Sequence, residues 1–111
     1  WNADSTRMPA MMHSVYLREM YLNNKLIEPG GITLDGTPID LTKITVPVYI
    51  ISTKDDHIAP WKSTYAATQI YKGPVRFVLS ASGHIAGVIN LPAAGKYCFW
   101  TAAKTPAKPN A

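Results

Sequence analysis

Val46-Pro47-Val48-Tyr49-Ile50-Ile51-Ser52 is a run of mostly β-branched and aromatic residues with no polar alternation. A run of this kind reads as a strand covered on both faces, as in a parallel sheet. Pro47 belongs near its start, because proline has no N–H to give to a ladder. Downstream, Val75-Arg76-Phe77-Val78-Leu79-Ser80 reads as a second strand. Between the two, Pro60-Trp61 through Tyr71 reads as a helix, with Pro60 near its first turn and Gly73-Pro74 stopping it. Strand, helix and strand within about 35 residues make a βαβ unit, whose crossover is right-handed.

Upstream, Met12, Val15, Tyr16, Met20 and the Tyr21/Leu22 pair recur at helical spacing, predicting an amphipathic helix from about Met11 to Ile27. Pro9 sits just before it and Pro29-Gly30-Gly31 ends it. Ile32-Thr33-Leu34 and Thr37-Pro38-Ile39 flank Asp35-Gly36, a hairpin signal in which Pro38 confines the second arm to an edge. After the second strand come Ser82-Gly83-His84, an apolar stretch from Ile85 to Ile89, and Asn90-Leu91-Pro92. From Thr101 an Ala/Lys/Pro tail is expected to be frayed or extended. No internal repeat is present.

The chain has 111 residues, enough for one small domain at most. It is 47% apolar and 16% charged, a globular composition that argues against disorder. Two parallel strands do not make a sheet that stands alone. The chain also opens on Trp1-Asn2-Ala3-Asp4, without an initiator Met or a signal peptide. The expectation is therefore a piece of a larger α/β domain.

No apolar run approaches the eighteen or so residues of a membrane helix, so no membrane span is expected. The net charge is +4, but apart from Lys96, Lys104 and Lys108 the basic residues are scattered. A nucleic-acid partner is not expected, because such binders cluster their basic residues with interleaved aromatics. A mild positive potential either attracts an anionic substrate or is plain solvated surface. The single cysteine, Cys98, excludes an internal disulfide and a cysteine-based zinc site, and fits a reducing compartment.

In open α/β sheets functional groups gather at the carboxyl ends of strands. The first strand runs into Lys54-Asp55-Asp56-His57 and the second into Ser80-Ala81-Ser82-Gly83-His84. Neighbouring strands lie about 4.8 Å apart, so loops leaving one edge can bring an acid and a histidine together. A carboxylate then holds the imidazole in one tautomer and leaves its other nitrogen as a base. This order matches the last two members of a nucleophile–acid–histidine triad. No Gly-x-Ser-x-Gly or Gly-x-Cys-x-Gly elbow is present to supply the nucleophile. On pattern alone an equal alternative stands, in which Asp56 caps a helix or turn and His84 fills a loop.

Ser52-Thr53-Lys54-Asp55-Asp56-His57-Ile58-Ala59-Pro60-Trp61 and Ala81-Ser82-Gly83-His84-Ile85-Ala86-Gly87-Val88-Ile89-Asn90 resemble the C-terminal part of polyhydroxyalkanoate synthases. Trp1-Asn2-Ala3-Asp4-Ser5-Thr6-Arg7, Tyr16-Leu17-Arg18, Tyr21-Leu22, Asn24 and Glu28-Pro29-Gly30 extend the resemblance, which runs from Trp1 to about Trp100 and is nearest the class I type. It implies the C-terminal portion of an α/β-hydrolase fold, made of a βαβ unit and part of the cap. Residues 1–44 would be a cap-derived helix and hairpin, 45–100 the core part carrying the acid and histidine, and 101–111 a flexible tail.

The resemblance further implies a Cys–Asp–His triad. Its aspartate falls on Asp56, rather than Asp55, and its histidine on His84; the cysteine lies upstream of this chain. The implied reaction polymerises (R)-3-hydroxyacyl-CoA into polyester with release of CoA. A base must also activate the 3-hydroxyl, either His84 again or Asp56. The implied partners are the acyl-CoA, the growing polyester and a second subunit, at the surface of cytoplasmic polymer granules. No cofactor and no metal are implied. His57, Ile85 and Ala86 adjoin the pair and are candidate substrate contacts, with loop packing the alternative for His57.

Cys98 follows the histidine without elbow glycines, so it is expected to pack as a small apolar residue rather than act as nucleophile. His13 is expected to be a plain helical histidine. Trp61, Tyr65, Tyr97 and Trp100 are expected to be core, with an acyl channel as the alternative. The chain alone is expected to be inactive. Two other readings share Asp56 and His84: an esterase, thioesterase or polyester depolymerase attacking with serine, and a non-catalytic cap or interaction segment.

Overall fold

The computed structural model describes residues 4–108. The chain divides into two compact units between Leu41 and Thr42.

In the first unit, helix α1 (Ala10–Val15) starts after Pro9, whose carbonyl accepts from His13 N at 3.0 Å. The helix continues from Tyr16 to Leu22 in the wider π form, closed by Asn23 N donating to Arg18 O at 3.0 Å. It stops there, short of the expected Ile27. Asn24 adopts a left-handed conformation (φ 50°), which asparagine tolerates better than most residues. The remainder, Lys25–Ile27, is a separate 3₁₀ turn. None of the helical residues is buried.

The hairpin is formed as expected. Strand β1 (Thr33–Leu34) pairs antiparallel with β2 (Thr37–Pro38). Asp35 (φ 47°) and Gly36 (φ 72°) turn it, both at positive φ, as a type I′ turn requires. Ile32, just before β1, is the buried apolar residue of this unit.

In the second unit, β3 (Val48–Thr53) and β4 (Val75–Ser80) are parallel, in a register running from Val48 opposite Val75 to Thr53 opposite Ser80. Strand β4 has the bounds the sequence predicts. Strand β3 begins after Pro47 and extends one residue further than expected. Helix α2 (Trp61–Tyr65) connects them and tightens into a 3₁₀ turn at Ala66–Gln69 instead of running on to Tyr71. Gly73 then passes so close to Thr45 O and Val46 O that a Cβ there would lie 2.4 Å from each, which only glycine permits. A third strand, β5 (Phe99–Thr101), pairs antiparallel with the other edge of β4, with Ser80 opposite Phe99. The unit is thus mixed α/β around a mixed sheet in the order β3-β4-β5.

The core of this unit is Tyr65, Phe77 and Val78. The Tyr65 and Phe77 rings meet edge to face at 4.7 Å, a favoured aromatic arrangement. Ser52 faces α2, its Oγ 2.7 Å from Thr64 Oγ1. Cover on both faces of β3 is not found among the described residues, for Tyr49 and Ile51 are exposed. Residues expected in a frayed tail make specific contacts. Thr101 belongs to β5, Thr105 Oγ1 donates to Val75 O at 2.8 Å, and Tyr65 OH donates to Pro106 O at 2.6 Å. Cys98 is exposed rather than packed, because at this point the backbone makes the contact: its carbonyl accepts from Ala81 N at 2.8 Å. No helix among the described residues is long and apolar enough to cross a membrane.

Candidate active site

The parallel ladder continues past the formal ends of β3 and β4. Lys54 N donates to Ser80 O at 2.8 Å, and Asp55 N to Ser82 O at 3.0 Å. These bonds zip the two loops together before either reaches its functional residue. Asp56 N then donates back to Thr53 O at 3.3 Å, turning the first loop. Ser82 takes a left-handed conformation (φ 75°) and turns the second.

Asp56 and His84, 28 positions apart, meet there: His84 Nδ1 lies 2.9 Å from Asp56 Oδ2. The other carboxylate oxygen, Oδ1, accepts from Ile58 N and Ala59 N at 2.9 Å each. Each carboxylate oxygen therefore has its own partners. Oδ1 caps the turn that leads into Pro60 and α2, and Oδ2 faces the histidine. Thr53 Oγ1 also donates to Oδ2, at 3.3 Å.

These donors act on the ionised form of the carboxylate. The Ala59 N–H, then the His84 ring, and more weakly the Ile58 N–H hold the Asp56 carboxyl far below the usual carboxylate range, against an opposing contribution from desolvation. Asp56 is ionised at neutral pH. Its side chain is only 8% exposed, whereas that of His84 is 48% exposed. An ionised Oδ2 can only accept, so Nδ1 of the neutral ring carries the proton and Nε2 is the basic nitrogen. The arrangement can take a proton at Nε2 and stabilise the resulting imidazolium.

The turn carrying His84 is held from below. Gly87 N donates to Gly83 O at 3.1 Å, and Ser80 Oγ donates to Gly87 O. A Cβ at Gly87 would lie 2.4 Å from Thr53 Cγ2 and 2.8 Å from Ala81 O, so the turn seats on β3 through the missing side chain.

The other candidates are placed as follows. Ile85 is exposed and Ala86 half-buried, both in the turn behind His84. His57 is exposed in the Asp56 loop. Tyr65 is core, as expected of it. Trp61 is half-buried, meeting Tyr65 edge-on at 6.4 Å, while Trp100 and Tyr97 are exposed rather than core. The Trp100 ring lies 5.4 Å from Lys54 Nζ, within cation–π range. His13 lies on α1 of the first unit. Among the described residues, no group of three His, Cys, Asp or Glu stands together as a metal site would require.

Sequence reasoning missed Thr53, Ser80 and Gly87. The available signal was a pair of hydroxyl residues at the polar ends of two otherwise apolar strands, together with a glycine three residues after the histidine.

No family model matches the chain. Curated relatives do. The poly(3-hydroxyalkanoate) polymerase subunit PhaC of Cupriavidus necator is 49% identical over 109 residues, which cover 98% of this chain and 18% of the relative. The subunit of the same name from Rhizobium meliloti is 52% identical over 101 residues, covering 91% of this chain and 16% of the relative. Poly(3-hydroxyalkanoate) polymerase 1 of Ectopseudomonas oleovorans is 40% identical over 109 residues, covering 98% and 19%. The chain thus spans less than a fifth of the length of each of these three relatives.

Proposed function

The chain belongs to the poly(3-hydroxyalkanoate) polymerase family, as a segment homologous to less than a fifth of the three relatives named above, and from that premise we propose that it carries the acid and the base of their polymerising site. The observation that supports this reading is the 2.9 Å contact between Asp56 Oδ2 and His84 Nδ1 at the carboxyl ends of adjacent parallel strands. On this reading the two units are parts of a larger α/β-hydrolase fold, the first derived from its cap. The nucleophile is a cysteine supplied by another part of the polymerase.

A free thiol is mostly protonated at neutral pH and attacks poorly in that form. His84 Nε2 takes the thiol proton, and Asp56 stabilises the imidazolium so formed. The thiolate adds to the thioester carbonyl of (R)-3-hydroxyacyl-CoA. The tetrahedral intermediate collapses, the bond to the CoA sulfur breaks, and CoA leaves as its thiol with the proton held on His84. The acyl group is now on the enzyme's sulfur. The 3-hydroxyl of another unit or of the growing chain then attacks this thioester, giving up its proton to His84 or Asp56. An ester forms and the cysteine is released.

Ile85 and Ala86, directly behind the base, border the acyl group in this arrangement, and His57 stands beside the acid. The assembled polymerase works as a homodimer at the surface of cytoplasmic polymer granules.

The test is His84→Gln in the full-length polymerase carrying this segment, assayed by CoA release. The expected outcome is a loss of kcat of about a thousandfold or more, with an unchanged thermal transition. Turnover within tenfold of the parent overturns the assignment.

A further inference from the structure

Thr53 is the last residue of β3 and is only 2% exposed. A threonine buried at that depth must find a partner for its hydroxyl. The partner is Asp56 Oδ2, 3.3 Å away, the same oxygen that faces His84 Nδ1. The methyl on the same Cβ has a different neighbour. It occupies the space where a side chain on Gly87 would begin. One residue therefore touches the acid with its hydroxyl and the underside of the histidine's turn with its methyl.

The two contacts do different work. The backbone donors from Ile58 and Ala59 fix Oδ1. Oδ2 has contacts of its own. Two groups are within reach there, the His84 ring and the Thr53 hydroxyl. The ring is nearly half exposed, whereas Thr53, which carries the hydroxyl, is only 2% exposed. The hydroxyl is carried on a buried strand end, paired with Ser80, so its backbone is fixed by the sheet ladder.

We propose that Thr53 is a positioning residue for this site: its hydroxyl holds Asp56 Oδ2 in line with His84 Nδ1, while its methyl only fills the space beneath Gly87. The inference rests on the reading of Asp56 and His84 as the polymerase's acid and base.

A hydroxyl that positions and a residue that merely packs give opposite orders of damage. Thr53→Val keeps the shape and removes the hydroxyl. Thr53→Ser keeps the hydroxyl and removes the methyl. The experiment places both in the full-length polymerase and measures kcat, KM for (R)-3-hydroxybutyryl-CoA, and thermal stability. Losing one net hydrogen bond to a charged group predicts a drop in kcat of about tenfold or more for Thr53→Val, with KM unchanged. Thr53→Ser is expected to keep kcat within twofold and to lose stability. If Thr53→Val folds poorly, Thr53→Ala replaces it. Alanine and serine both lack the methyl, so their difference in kcat isolates the hydroxyl and is again expected to be about tenfold or more.

Equal kcat for the valine and parent enzymes, or for the alanine and serine pair, overturns the proposal. So does a serine variant as impaired as the valine one. His84→Gln in the same background separates the two levels. If that variant still turns over, the reading of the site has failed. If it is inactive while Thr53→Val is not impaired, only the role of Thr53 has failed.

Discussion

The helix of the first unit and strand β4 of the second are both rich in large apolar side chains, yet they meet opposite fates. Along the helix, Met11, Met12, Val15, Tyr16, Leu17, Tyr21 and Leu22 are all exposed. Along β4, Phe77 and Val78 are buried between neighbours supplied by β3, α2 and β5. Apolar content is thus no measure of what holds this chain together. The sheet unit carries its own partners within 70 residues of sequence; among the described residues of its own unit the helix has none of its side chains fully buried. The Asp56–His84 pair is built on the unit that carries its partners. A pair of side chains can be aligned to within a hydrogen bond only where the strands beneath it are themselves fixed.

The largest expected effect comes from attacking that fixed part. Phe77→Ala removes the ring that meets Tyr65 at 4.7 Å and leaves a void in a small core. The expected cost is about 3 kcal/mol, read as a fall in the urea midpoint at constant slope. Against the marginal stability of a domain this size, that is a large fraction of the total. A cost below about 1 kcal/mol would mean that the sheet is not the stabilising core and would erase the contrast with the helix.

The second effect acts at the site itself and is read by pH. The Asp56 carboxyl is held below its ordinary range by the Ala59 N–H, His84 and the Ile58 N–H, whereas in the unfolded chain it titrates near the usual value of about 3.9. Between those two values the unfolded state binds more protons than the folded one, so stability rises with pH. The contribution is fully present above about pH 5 and is lost as pH falls through 4 and below. The denaturation midpoint should fall over that window in the parent chain and fall less in Asp56→Asn. Identical slopes in the two would mean that the carboxylate's partners do not hold it in solution.

The readable parts of the fold are those whose signal is local. Asp35-Gly36 specifies a type I′ hairpin through two residues that accept positive φ. The β4 run has a polar or Gly/Pro boundary at each end, and its observed bounds match. Asp56 and His84 were legible because each directly follows a strand and lies in a distinctive stretch of sequence. The contacts that sequence reading missed depend on distant pairing. Phe99-Trp100-Thr101 is too short and too close to an Ala/Lys/Pro tail to announce a strand, and it becomes β5 only because the free edge of β4 is there to receive it. Thr53 and Gly87 are 34 positions apart in sequence, and no periodicity links a methyl to the absence of a side chain that far away. The helix was recognised but its length was not. Helical spacing continues through Leu26 and Ile27, while the turn at Asn23-Asn24 that interrupts it is a matter of one backbone dihedral.

The smallest expected effect is the one that defines the other side of the comparison. Tyr21 is 82% exposed, on the π-helical stretch, and carries the same aromatic ring as Phe77 with a hydroxyl added. If apolar size alone determined stability, Tyr21→Ala would cost at least as much as Phe77→Ala. Burial argues otherwise: a side chain that stays in water on folding gains no transfer free energy, and its removal leaves no void. The expected change is within about 0.5 kcal/mol, and alanine's better helix propensity offsets part of it. The same urea titration that measures Phe77→Ala reads it. A loss of 2 kcal/mol or more would show that the helix is packed in solution, and the two units would then have to be treated as equally consolidated.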